Sequence, residues 1–150
     1  MNKELFDLIN CPKIVIKPPQ KEFKAVSGSL RKDLQLLSTD GTKRFSMFIR
    51  QNKEFPDNFS VGLLVEDEEG KKVILFRCNG PHGGCYNLDN PHFTPHIHYL
   101  DEERMSESQI ECTQEYVTMD DAIVYFCRIC NIQDAEKYFP FIKQQMQSLF

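Results

Sequence analysis

The stretch "LRKDLQLLSTDGTKRFSMFIR", residues 30–50, decides the fold. Asp40-Gly41 is a strong short-range hairpin signal, because a tight turn between strands needs a positive φ and glycine supplies one at no steric cost. After the turn, Phe45, Met47 and Ile49 alternate with Ser46, Phe48 and Arg50. That period of two is the signature of a strand with one apolar face. Residues 30–38 are the matching strand on the other side, so the chain enters an antiparallel meander here.

The meander extends downstream. Residues 51–58 are a polar loop with Pro56, and residues 59–66 form a strand with Val61, Leu63 and Val65 in phase. Asp67-Glu68-Glu69-Gly70 turns the chain into residues 71–79, where Val73, Leu75 and Arg77 alternate with Ile74, Phe76 and Cys78. Gly80-Pro81-His82-Gly83-Gly84 ends that strand. Residues 96–100 read as a short strand, 101–109 as an acidic loop or helical turn, and 110–117 as a last strand. Upstream, residues 3–10 form a short amphipathic helix capped by Asn2, residues 13–17 a strand, and residues 20–29 an irregular link. Thr118 is an N-cap, with Asp120 and Asp121 in the first turn, where carboxylates suit the helix dipole. That helix runs to about Cys130 on a stripe of Ala122, Ile123, Phe126, Ile129 and Cys130, and Asn131 ends it. A last short helix starts near Pro140 and buries Phe141, Ile142, Met146, Leu149 and Phe150. The class is α+β, one domain over 1–150: a curved antiparallel β-meander of about five to six strands packed on a C-terminal helix, with a short N-terminal helix.

Composition narrows the function classes. A chain of 150 residues buries roughly 70% of its unfolded surface and needs no metal or disulfide to fold. No apolar run reaches membrane-span length, and the N-terminal residues lack the apolar core of a signal peptide. The expectation is a cytoplasmic protein whose six cysteines are buried thiols or metal ligands. Cys127-x-x-Cys130 sits at a helix end and reads as packing. The net charge of −4 is unevenly spread: residues 1–60 hold 11 Lys/Arg against 7 Asp/Glu, and residues 61–150 hold 7 against 15. That balance speaks against broad non-specific nucleic-acid binding. It leaves a small basic patch in the first half, enough for a phosphate, and an acidic second half open to a protein partner.

All four histidines, His82, His92, His96 and His98, fall between residues 78 and 100 together with Cys78 and Cys85. Three readings stand side by side. His96 and His98, two apart on a strand, point to one face roughly 7 Å apart. With Arg77 to clamp a phosphate, they can act as general base and general acid. Asn79, His82 and Asn87 are the accompanying ligand-binding candidates, and the substrate class would be a phosphate-bearing ligand or RNA. Alternatively, Cys78, His82, Cys85 and His92 hold zinc tetrahedrally. Otherwise no cofactor is called for. Third, the cluster is ordinary loop and strand chemistry.

"RCNGPHG" at 77–83, then Asn87, "PHIHYL" at 95–100 and "FCRICNI" at 126–132 resemble a family of short bacterial and phage-associated proteins, a domain of unknown function. The likeness runs in order over roughly residues 30–150, and its motifs fall on Arg77, Asn79, His82, Asn87, His96 and His98. The chain departs from the family pattern at Gly84 and Cys85, where a second histidine is common. It departs again after the His-x-His strand, where the family carries an acidic residue and a Tyr-Gly turn and this chain has Tyr99-Leu100-Asp101-Glu102-Glu103 with no Gly. The resemblance implies an origin in bacteria or their mobile elements, in the setting of toxin or anti-defence systems. It brings no defined activity with it. The rival expectation is thus a non-catalytic inhibitor, anti-defence or antitoxin-like, with a structural His/Cys cluster. Alternation leaves one further expectation: if Arg77 shares the face of His96 and His98, Cys78 does not.

Overall fold

The computed structural model describes residues 2–19, 22–81, 94–101 and 106–143. Its elements in chain order are α1 (Lys3–Asn10), β1 (Lys13–Lys17), β2 (Lys24–Val26), β3 (Ser29–Ser38), β4 (Arg44–Asn52), β5 (Phe59–Glu66), β6 (Lys72–Asn79), β7 (His96–Asp101), β8 (Ser106–Cys112), α2 (Met119–Ile129) and α3 (Ala135–Tyr138). The strands form one antiparallel sheet in the order β1-β3-β4-β5-β6-β7-β8, with β2 also paired to β3. The fold is therefore α+β, an open antiparallel sheet with a few short helices. Among the described residues no helix is long and apolar enough to cross a membrane.

Local chemistry explains most of the elements. Asn2 Oδ1 accepts from Leu5 N at 2.8 Å and Thr118 Oγ1 from Asp121 N at 3.1 Å, so both predicted N-caps satisfy orphan helix amides. Asn131, at φ 54°, stands in the left-handed conformation that ends a helix. At the hairpin, Gly41 takes φ 77°, and Asp40 accepts from Ser38 Oγ, Thr42 N and Thr42 Oγ1. Those bonds pull its carboxyl down to about 2.

The segment expected to be irregular contains a second hairpin. Ser27 and Gly28 both have positive φ, 44° and 79°, and join Val26 to its cross-strand partner Ser29. Two successive positive φ values make the tight turn whose twist suits paired strands. The last strand also differs from expectation. It spans Ser106–Cys112 rather than 110–117, and Tyr116 leaves the sheet to pack in the core. Residues 141–143 are helical and bury Ile142, as expected of the final helix, while Met146, Leu149 and Phe150 lie outside the described residues.

The core lies on one face of the sheet. Leu34, Leu36, Phe45, Met47, Ile49, Val61, Leu63, Phe76, Cys78, Ile97 and Tyr99 meet Leu5 and Ile9 of α1 and Ala122, Ile123, Phe126 and Cys127 of α2. Phe126 stacks on Phe76 with centroids 5.7 Å apart, and Phe76 stacks in turn on Tyr99 at 5.6 Å. Alternation therefore sends the intervening residues to the far face.

A β-bulge decides which residues those are. Leu63 pairs with Phe76 but Leu64 pairs with Ile74, so Leu75 is the extra residue in β6. Simple alternation put Val73 with Arg77. In the structure Val73 pairs with core-facing Val65, and Arg77 pairs with Gly62 on the far face. The inserted residue switches the phase of everything after it.

Candidate functional site

Cross-strand partners lie on the same side of a sheet. Following the pairing from strand to strand gives two rows on the far face. One runs Asp33, Phe48, Gly62, Arg77, His98, Ile110. The other runs Lys24, Arg31, Arg50, Ser60, Asn79, His96, Cys112. Arg77 is thus opposite His98, and Asn79 is opposite His96. Four of the residues singled out from sequence stand together, as two adjacent cross-strand pairs.

His96 is fixed from two sides. Its Nδ1 lies 2.8 Å from Thr94 O, and a carbonyl only accepts, so Nδ1 carries the proton. Nε2 then keeps its lone pair, which receives Asn79 Nδ2–H at 3.4 Å. That long contact is weak and easily exchanged. The His98 ring stands edge-on to it, with centroids 5.0 Å apart. His96, Asn79 and His98 are all buried. Among the described residues Asn79 Oδ1 is a buried acceptor with no hydrogen-bond donor, an uncommon state.

The backbone beneath is pinned from the core side. The Tyr116 hydroxyl lies 2.8 Å from Asn79 O and 2.9 Å from His96 O, sharing its proton between the ends of β6 and β7. Burial, with the nearby Cys78, raises its pKa far above the ordinary phenol. Gly80 follows at once, and its missing side chain is needed: a Cβ there would meet Asp57 O at 2.1 Å. The loop between β4 and β5 closes on the site for that reason.

Cationic groups flank the imidazoles. Arg50 Nη2 donates to Asn58 Oδ1 at 3.1 Å and Ser60 Oγ at 3.0 Å. Its pKa is lowered, by burial first and then by the positive charges of Arg77 and Arg31. Arg50 therefore lies close enough to both other guanidiniums to feel their positive charge. Arg31 lies over the Phe48 ring at 4.8 Å and pairs with Asp33 at 3.0 Å on the exposed surface. No motif or periodicity marks Arg50, Ser60 or Arg31 as a site residue in the sequence. Counting register back from Asp40-Gly41 does pair Arg50 with Arg31, but the bulge hides their relation to Arg77.

The comparisons are silent. No family model, curated protein or solved structure matches this chain. The resemblance drawn from its motifs therefore stands as an expectation.

Cys78 occupies the opposite face. It pairs with Val61 and Ile97, is fully buried, and its thiol pKa is pushed well up, first by burial and then by Cys130 and Cys127. As alternation predicts, Arg77 shares the face of the imidazoles and Cys78 does not. His82, Cys85, His92 and Asn87 lie outside the described residues. Among the described residues no group of three or more His, Cys, Asp or Glu is placed to hold a metal ion.

Proposed function

We propose that the far face of the sheet binds a phosphate-bearing ligand, RNA foremost, and that His96 and His98 cleave its phosphodiester without a metal. The observation that carries this reading is the register: Arg77 with His98, and Asn79 with His96, side by side, in a row that continues through Ser60 to Arg50. Imidazoles titrate near neutrality and guanidiniums grip phosphate with two parallel hydrogen bonds, so these groups suit that chemistry.

In the proposed step, His96 Nε2 takes the proton of the 2′-hydroxyl. The 2′-oxygen forms a bond to phosphorus while the bond to the 5′-oxygen breaks, and protonated His98 gives the leaving oxygen its proton. The products are a 2′,3′-cyclic phosphate and a 5′-hydroxyl. Arg77 offsets the charge that builds on the phosphoryl oxygens. Both imidazoles are buried, so an incoming phosphate first meets the half-buried guanidiniums of Arg50 and Arg77.

The test is a dinucleotide carrying one ribose 2′-hydroxyl, incubated with protein in EDTA. Cyclic-phosphate product is expected from the wild type, with a loss of 100-fold or more in His96→Ala and His98→Ala. The all-deoxy dinucleotide should bind and stay intact. Binding without cleavage would remove the acid–base step. Absence of both would overturn the reading and favour a protein partner for the acidic second half.

A further inference from the structure

The row that contains His96 continues far beyond the imidazoles. Lys24 pairs with Arg31, Arg31 with Arg50, Arg50 with Ser60, Ser60 with Asn79 and Asn79 with His96. Six strands thus line up three cations, two small polar groups and an imidazole: Lys24 is exposed and Arg31 and Arg50 are half-buried, while Ser60, Asn79 and His96 form the buried end of the line. At about 4.8 Å per strand the line is about 24 Å long. No carboxylate interrupts it. Asp33 belongs to the neighbouring row, and its exposed pair with Arg31 is of the weak kind that a phosphate can replace.

We propose that this row is the track of a single-stranded oligonucleotide laid across the strands, its backbone on Arg50, Arg31 and Lys24 and its reacting linkage at His96. The inference rests on the phosphate-binding reading and extends it from one phosphate to a chain. A length of about 24 Å accommodates roughly four nucleotides, the lower end of single-strand site sizes. An exposed aromatic ring lies in the adjoining loop. Phe55 is 66% exposed in the loop between β4 and β5, and that loop joins the row through the Asn58–Arg50 hydrogen bond. A base stacks on such a ring whatever its identity. Asn79 Oδ1, buried and with no hydrogen-bond donor among the described residues, is an acceptor on the same line for a ribose hydroxyl or a base amino group. The charge distribution agrees, since the cations come from the first 50 residues and the acidic excess lies later in the chain.

The experiment measures binding of 2′-O-methyl oligouridylates of two, four and eight nucleotides, which cannot be cleaved, by fluorescence anisotropy. Affinity is expected to rise tenfold or more from two to four nucleotides and then level off. In Lys24→Gln/Arg31→Gln, surface changes on the β2–β3 hairpin, the advantage of the octamer over the dinucleotide should fall about tenfold. The slope of log affinity against log salt should shrink by about one to two. A dinucleotide that binds as tightly as the octamer would overturn the track and leave the phosphate site standing. So would a duplex that binds as well as the single strand, or a double variant that behaves as wild type. Failure of every oligonucleotide, the dinucleotide included, would overturn the phosphate-binding reading itself.

Discussion

Lys13 is fully buried, the least expected position for an ammonium group. Its three N–H bonds go to Ile9 O, Cys11 O at 2.8 Å and Cys130 O at 2.9 Å, and it lies 4.7 Å from the Phe45 ring. The acceptors are carbonyls at the C-terminal ends of α1 and α2, where a cation also suits both helix dipoles. One side chain therefore ties two helices to an edge strand. Nothing in "KIVIK" shows this, because a lysine at a strand start normally means solvent. Lys13→Met keeps the stem but strands three carbonyls, and is expected to cost about 2–4 kcal/mol, read from the urea midpoint. Tyr116→Phe removes the donor shared by Asn79 O and His96 O. It should cost about 1–2 kcal/mol and speed amide exchange at the β6–β7 end, while leaving the β3–β4 hairpin protected.

Among the elements, β6 carries the decisive irregularity. Its bulge puts Arg77 on the face of Arg50, and the Phe48 ring occupies the space over Gly62 beside it. A Cβ at residue 62 would come within 2.2 Å of that ring. Gly62→Ala must displace Phe48 and the Arg31 stacked on it. The expected loss is about 1–3 kcal/mol, and it should shrink in a Phe48→Ala background. Equal costs in the two backgrounds would argue against the contact. The edge strand β1 shows another device. Lys13 N donates to Asn131 O, Gln133 N to Lys13 O, and Val15 N to Asp134 Oδ1, so the segment after α2 covers an edge that would otherwise template another strand.

Across the whole molecule, buried titrating groups set the response to alkali. Burial raises the thiols of Cys78, Cys130 and Cys127, the last to about 12, and the phenols of Tyr99, Tyr116 and Tyr125, with Tyr99 at about 12. The unfolded chain loses these protons from pH 9 upward while the folded chain keeps them, so their stabilising contribution is present below pH 9 and lost above it. Lys13 acts oppositely, because burial lowers its pKa and folding becomes more favourable as pH approaches 10.5. Among the described residues, these six groups against Lys13 predict a net fall. The urea midpoint should drop between pH 9 and 11, and drop less in Cys127→Val.

The repeating parts of this protein were legible in its residues. Period-two alternation around Asp40-Gly41, the caps at Asn2 and Thr118, and the apolar stripe of α2 act over a few neighbours, so the chain alone announces them. His96 and His98 share a face for the same reason. What only the tertiary structure decided is what stands beside them. Leu75 switches the phase of β6, Tyr116 leaves the expected last strand for the core, and Lys13 finds its carbonyls 117 residues away at Cys130 as well as nearby. Each depends on pairing between distant segments. A slip of one residue there exchanges the two faces of a strand, and no local periodicity records it.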